Sequence, residues 1–316
     1  MNTTYPLISV VIPFYSTESG RLKISVISAL EQTYSNIEVI IIDDHSPISA
    51  VDELKEIVDG RLKILRNDTN KNGAYSRNRG MAEAKGEFIA LLDSDDYWKK
   101  EHLETNLKEI KDADFIYSNV IELTSTGTVY YREASDVRDY KDKAICNILF
   151  DSPPQTNSFF FRRECYPEVK FDETLKRHQD YQFFVDFIKS SYTVKKANHF
   201  TSFYSINERQ SGKKIDYSSV IYFWEQRQKE ASAFRLKTFL FGISYKILNQ
   251  DKRDAYLLKE IKDRILIDDK SYAIITAIKP LKLQEKVLYI YYYFYLDGKN
   301  LSKKLIRAAK RMRSKL

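Results

Sequence analysis

Over the first hundred residues, apolar and polar positions come in alternating blocks. LISVVIP (7–13), IEVIIIDD (37–44), RLKILRN (61–67) and GEFIALLD (86–93) are runs of β-branched and large aliphatic side chains. They predict four strands. Between them LKISVISALEQ (22–32) places Leu22, Val26, Ala29 and Leu30 at helical spacing. VDELKEIV (51–58) reads as a short amphipathic helix, and GAYSRNRGMAEAKG (73–86) as a longer one that Gly86 is placed to end. Strands that are apolar on both faces and joined by helices predict a parallel sheet inside an α/β layer fold.

Further along, the pattern loosens. DFIYSNV (114–120) and NSFFFRR (157–163) predict strands, SPPQ (152–155) a turn and DYQFFVDFIKS (180–190) a helix. From about Asp216 the chain reads as helical and aromatic-rich. The expected organisation is therefore a domain over 1–212, divided at 98 into two halves, followed by a helical region over 213–316.

The chain has 316 residues, 43% of them hydrophobic and 30% charged, an ordinary soluble globular composition. Its cysteines, Cys146 and Cys165, make no disulfide framework, so a reducing compartment is expected. MNTTYPLISVVIPFY lacks the basic start and small-residue cleavage site of a secretory signal. The most apolar late stretch, VLYIYYYFYL (287–296), has about half the length needed to span a bilayer. Charge adds an asymmetry. Residues 1–212 carry 27 Lys/Arg and 33 Asp/Glu, whereas residues 213–316 carry 24 and 11. The second part therefore seeks an anionic surface, either membrane or nucleic acid.

Acids close two of the strands: Asp43 and Asp44 after EVIII, and Asp93, Asp95 and Asp96 after FIALL. In an open parallel sheet, ligands bind beyond the carboxyl ends of the strands. Asp43 and Asp44 have an alternative use as caps of the following turn, DHSP. A nucleotide is the natural ligand, yet neither GxGxxG nor the GxxxxGK of a phosphate loop is present, and glycines number nine in all. Without a backbone cradle, a diphosphate can be neutralised by a divalent cation on carboxylates, which gives DSDD a purpose. Arg77 would bring a guanidinium fork to the same phosphates.

SVVIPFY (9–15), SALEQTYSNIEVIIIDDHSP (28–47) and NKNGAYSRNRGMAEAKGEFIALLDSDDYW (70–98) resemble, in that order and spacing, the family 2 glycosyltransferases of the GT-A fold. That resemblance implies an α/β fold with a Rossmann-like nucleotide-binding sheet, a UDP-sugar donor and inverting transfer. It implies that Pro13 and Tyr15 flank the uracil, that Asp44 contacts the base and that Arg77 reaches the diphosphate. Asp93 would lie near the ribose and donor sugar, and Asp95 would ligate Mn²⁺ or Mg²⁺; Asp96 is a common neighbour in the family to which no role is assigned. Ser16 stands where the family often has Asn. FDETLKRHQDYQFFVDF (171–187) resembles the segment that carries Glu-Asp, the Asp being the general base. Here the pair is Gln179-Asp180, so Asp180 is the expected base, and Gln179→Glu would be expected to be tolerated. Asp180 also has the simpler reading of a helix N-terminal acid.

His178 and His199 are weighed as metal- or diphosphate-side residues against ordinary structural histidines. Arg209, Ser211, Lys213 and Lys214 fall where relatives have a loop over the donor. KNLSKKLIRAAKRMRSKL (299–316) has eight basic residues and no acid, with Leu301, Leu305, Ala308, Ala309, Met312 and Leu316 on an arc of roughly 100°. That is the pattern of a helix lying on anionic lipid. The expectation is thus a cytoplasmic glycosyltransferase, peripheral on the inner face of the membrane and acting on a lipid-linked glycan in bacterial cell-surface polysaccharide assembly, with no nucleic acid as partner. Alternatives are an inactive nucleotide- or glycan-binding protein of the same fold, a nucleic-acid-binding protein reading phosphates through the tail, and a dinucleotide-dependent dehydrogenase, which the missing glycine fingerprint disfavours.

Overall fold

The structure, a computed structural model, describes residues 5–140, 142–206 and 216–233, together with 235, 236, 239, 240, 243, 261 and 263–265. The first half runs β1 (Ile8–Phe14), α1 (Arg21–Leu30), β2 (Ile37–Asp43), α2 (Ala50–Glu53), β3 (Leu62–Arg66), α3 (Gly73–Glu83) and β4 (Phe88–Leu91). There follow β5 (Tyr97–Trp98), α4 (His102–Ile110), β6 (Phe115–Thr124), β7 (Val129–Arg132), α5 (Ile148–Asp151), β8 (Phe160–Arg162), α6 (Gln179–Lys189), β9 (Val194–Ile206) and α7 (Tyr217–Arg227). The described strands form one sheet in the order β3-β2-β1-β4-β8-β6-β9-β5, with β7 on β6.

β3, β2, β1 and β4 are parallel, as the apolar runs require; Val10 faces Val39 on one side and Ala90 on the other. β8 then enters antiparallel to both β4 and β6, and β9 lies parallel to β6. The GT-A fold expected from the sequence is what forms: a parallel sheet extended by a mixed second half. Val10, Ile12, Val39 and Ile41 are buried with Leu22, Val26 and Ala29 of α1. The second half has an aromatic core. Phe171 stacks on Phe183 at 4.1 Å between ring centres, and Phe115 on Phe187 at 4.4 Å, which seats α6 against β6.

Three local expectations change. The helix expected over 51–58 is a single turn. Ser49 caps it by accepting from Val51 and Asp52, Leu54 turns into the core, and Val58 is left exposed as the chain doubles back to β3. α3 stops at Glu83 rather than at Gly86. Gly86 serves a close approach instead, since a Cβ there would lie 2.7 Å from the Leu7 carbonyl oxygen. β9, thirteen residues long, was not evident in the sequence. Its Lys195, Lys196, Asn198 and His199 hide the strand, and register shifts opposite Ser118, Asn119 and Val120 break its alternation.

The chain divides into two compact units, Met1–Phe223 and Trp224–Leu316. The boundary expected at 212/213 falls outside the described residues, as do Arg209, Ser211, Lys213, Lys214 and the basic tail over 299–316. In the second unit Glu225 pairs with Arg264, and Trp224 packs on Phe239 at 5.4 Å. Among the described residues no helix is long and apolar enough to cross a membrane.

Candidate active site

The carboxyl ends of β1, β2 and β4 and the start of α3 open onto one cavity. Pro13, Tyr15, Asp44, Arg77, Asp93 and Asp95 all line it. Tyr15 is 53% exposed, so a ring face is available for stacking.

The two acids ending β2 have different jobs. Asp43 is buried and saturated: it accepts from Ser46 N at 2.7 Å, Ala50 N at 3.0 Å and Arg66 Nη1 at 2.6 Å. The turn-capping alternative therefore describes Asp43. Asp44 accepts from Asn67 Nδ2 at 2.7 Å and from the backbone N–H groups of Lys71 and Asn72 at 2.8 Å, while its own N–H is held by Phe14 O. Asn72 in turn caps α3, accepting from Ala74 N at 2.8 Å. Asp44 is thus a rigid acceptor in the cavity wall and also an anchor for the helix that carries Arg77.

Arg77 projects from the second turn of α3. Nη2 donates to Asp93 Oδ1, Nη1 donates to Gln179 Oε1 at 3.1 Å, and the guanidinium lies 5.3 Å from the Phe171 ring centre. Its buried Nε has no acceptor among the described residues.

The DSDD turn resolves into three fates. Asp93 is paired with Arg77. Asp96 is buried and accepts from Asn157 Nδ2 and Ser205 N, each at 2.8 Å, while Ser25 Oγ donates to its carbonyl at 2.6 Å. Burial, then the nearby Asp95 and Asp93, raise its pKa well above the usual carboxylate range. Asp96 is therefore architectural, the role the sequence left unassigned. Burial and then Asp93 also raise the pKa of Asp95, with Arg21 at 4.0 Å and Arg77 opposing.

This donor set suits a divalent cation held mostly by its substrate. Among the described residues no three His, Cys, Asp or Glu side chains are grouped to hold a metal. Asp95, in the cavity wall, would supply one oxygen ligand; phosphate oxygens and water would supply the others, the usual arrangement for Mg²⁺.

Asp180 lies in the first turn of α6 and is not part of the cavity wall. Its neighbour Gln179 touches Arg77, and its charge senses the same groups. Burial raises the Asp180 pKa, Asp93 adds to this, and Arg77 opposes. His178 precedes it with φ 62°, stacks on Tyr181 at 4.6 Å between ring centres, and is taken to a pKa of about 3, chiefly by burial. His199 is placed elsewhere, bonding Asn106 at 3.1 Å and Thr201 at 2.9 Å in a network with buried His102.

Sequence reasoning missed Tyr204. Burial pushes its phenol up to about 12, and Asp96, Asp93, Asp95 and Asp180 all contribute, so it stands in the field of the DSDD turn and of Asp180. Tyr204 sits opposite Glu122, which pairs with Arg132 at 2.8 Å. No signal marked it, because β9 itself was hidden.

The fold and the family match together define a glycosyltransferase. The chain belongs to the family 2 glycosyltransferases: residues 9–169 match the family model described as Glycosyl transferase family 2. It is 28% identical to the amylovoran biosynthesis glycosyltransferase AmsB of Erwinia amylovora, over 98% of this chain and 97% of that one. It is 37% identical to the UDP-Glc:alpha-D-GlcNAc-diphosphoundecaprenol beta-1,3-glucosyltransferase WfaP of Escherichia coli, over 48% of this chain and 53% of that one. Among solved structures, that of S. aureus TarS 1-349 in complex with UDP-GlcNAc shares the fold, with TM-score 0.56 and 19% identity over 81% of this chain and 70% of that one.

Proposed function

We propose that the chain is an inverting, metal-dependent transferase that moves a hexose or N-acetylhexosamine from a UDP-sugar to a lipid-linked glycan in bacterial cell-surface polysaccharide assembly. The observation that carries this reading is the continuous arrangement Asp93–Arg77–Gln179, which brings a phosphate-seeking guanidinium next to the residue preceding Asp180. The names of AmsB and WfaP support the pathway class, and those of WfaP and the TarS complex support a UDP-linked donor.

In this reading residues 1–98 bind the donor, residues 99–212 receive the acceptor, and residues 213–316 carry the membrane-seeking tail. Pro13 and Tyr15 sandwich the uracil and Asp44 accepts from it. Arg77 binds the diphosphate and Asp93 orients the donor sugar. Asp95 would hold Mn²⁺ or Mg²⁺, which when bound neutralises charge on the departing diphosphate. Asp180 removes the acceptor hydroxyl's proton as that oxygen forms its bond to the anomeric carbon; the bond from that carbon to the phosphate oxygen breaks, and UDP leaves from the opposite face. Its raised pKa makes Asp180 a better proton acceptor than an ordinary carboxylate.

A panel of UDP-sugars with Mn²⁺, read by thermal protection and by NMR of the product's anomeric configuration, tests the reading. Protection by one UDP-sugar and an inverted product are expected; a retained configuration would refute it. Deleting residues 299–316 is expected to release the protein from anionic liposomes. Co-sedimentation of the truncated chain at physiological salt would remove the tail as anchor.

A further inference from the structure

We infer that Arg132, Glu122, Tyr181 and Tyr204 form the subsite that receives the acceptor, and that it takes a neutral sugar ring presenting adjacent hydroxyls. The inference rests on the reading of the chain as a glycosyltransferase with Asp180 as its base, and it names the groups that hold the acceptor there.

Four elements bring these side chains together. Glu122 on β6 lies directly opposite Tyr130 on β7 and Tyr204 on β9, and residues so paired share a face of the sheet. Arg132, two residues after Tyr130, reaches the same row, with Nε 2.8 Å from Glu122 Oε1. Tyr181 comes from the first turn of α6, next to Asp180. Burial raises the pKa of its phenol; Asp180 adds to this, Arg132 opposes and Tyr204 adds again, so it feels each of those groups. Tyr204 in turn feels Asp96, Asp93, Asp95 and Asp180. The cluster therefore stands beside both the DSDD turn and the proposed base, yet none of its four residues lines the cavity of Pro13, Asp44 and Arg77.

What sets the cluster apart is unused hydrogen-bonding capacity. Arg132 Nε is buried, and although Glu122 is close, its N–H is not aimed at the carboxylate and finds no acceptor among the described residues. Nor do the terminal nitrogens of Arg132 donate to any described residue, and the hydroxyls of Tyr181 and Tyr204 have no hydrogen-bond partner among them either. Both phenols stay protonated at working pH, that of Tyr204 having a pKa of about 12, so each is a standing donor. Largely buried donors without acceptors are costly, and ligand hydroxyls remove the cost. Arg132 offers a rigid fork of donors beside the acceptor oxygens of Glu122, which suits neighbouring hydroxyls that each donate and accept. The pair is neutral overall, so an acidic sugar would meet Glu122 and Asp180 with a single cation to answer them. The Tyr181 ring is fixed by its stack on His178 at 4.6 Å, which presents its hydroxyl in one place. At the outer end of the row Tyr130 is 55% exposed, leaving that side open to an incoming glycan.

The test uses methyl α-glycosides of glucose, galactose, N-acetylglucosamine and N-acetylgalactosamine as probes, with methyl glucuronide as the acidic counterpart. Their binding in the presence of UDP and Mn²⁺ is read by saturation-transfer NMR, and UDP affinity by calorimetry, on the wild type, Arg132→Met and Tyr204→Phe. At least one neutral glycoside should bind the wild type, and the glucuronide should bind more weakly. Arg132→Met is expected to weaken that glycoside by about tenfold or more, the size of a lost charge-assisted contact. Tyr204→Phe should weaken it by about three- to tenfold. UDP affinity and melting temperature should stay unchanged in both. Wild-type glycoside affinity in Arg132→Met, equal losses of glycoside and UDP affinity, or a preference for the glucuronide would overturn the inference. A wild type that binds UDP but no neutral glycoside would overturn it and leave the functional reading standing; one that binds no UDP would overturn both.

Discussion

The parallel strands β3-β2-β1-β4 and the mixed strands β8-β6-β9-β5 meet along the β4–β8 pair, and each side builds its share of the site differently. On the parallel side, partners lie close in sequence: Asp43 is held by residues 46, 50 and 66, and Asp44 by 67, 71 and 72. On the mixed side they are remote. Gln179 reaches Arg77, and Ser205 reaches Asp96 across 109 positions. The difference teaches that donor binding can be encoded in short motifs, whereas the groups expected to handle the acceptor depend on the whole sheet being assembled.

That contrast can be broken by experiment. The largest effect is expected from Asp95→Asn, on the parallel side. Transfer should be lost and metal-dependent UDP binding weakened together, as read by calorimetry with and without Mn²⁺; undiminished transfer in the presence of a chelator would take the metal out of the mechanism. Asp180→Asn, on the mixed side, should lower transfer by about 10²–10⁴-fold yet leave UDP affinity almost unchanged. Because burial raises the Asp180 pKa, the carboxyl stays protonated to a higher pH than an ordinary aspartate, so the acid limb of the rate profile should lie above the normal carboxylate range and vanish in this variant. Near-normal turnover would sink the assignment.

A smaller effect sharpens the comparison at its seam. Asn157→Ala strips Asp96 of one donor and leaves Phe203 O without its 2.9 Å partner. The expected cost is about 1–3 kcal/mol. Asp96 titrates above its unfolded value, so its proton favours the folded state at low pH and that contribution fades as pH rises through the folded pKa. The melting deficit of Asn157→Ala should therefore be larger at neutral than at acid pH; a deficit independent of pH would separate Asn157 from the carboxylate.

The same asymmetry explains what the sequence disclosed. Pro13, Tyr15, Asp44, Asp93 and Asp95 were legible because each lies at or just past the end of a strand whose hydrophobic run is clear, and Arg77 through the family motif around it; all six line one cavity. Asp43 and Asp44 look alike in a string of letters and both are buried; Asp43 is paired with Arg66 and holds the turn into α2, whereas Asp44 lines the cavity. Tyr204 was hidden because its strand is polar and bulged. Gln179 was visible as a departure from the family's glutamate, but its contacts with Arg77 and the Leu175 carbonyl are tertiary facts.

Asp96 also bears on any attempt to recombine donor and acceptor preferences between relatives. A splice at residue 98 looks natural, since the donor motifs end there. It would separate a buried carboxylate from Asn157 and Ser205, the two groups that make its burial tolerable. A chimera would have to carry all three positions from one parent, so the modules that can be exchanged intact do not coincide with the contiguous motifs.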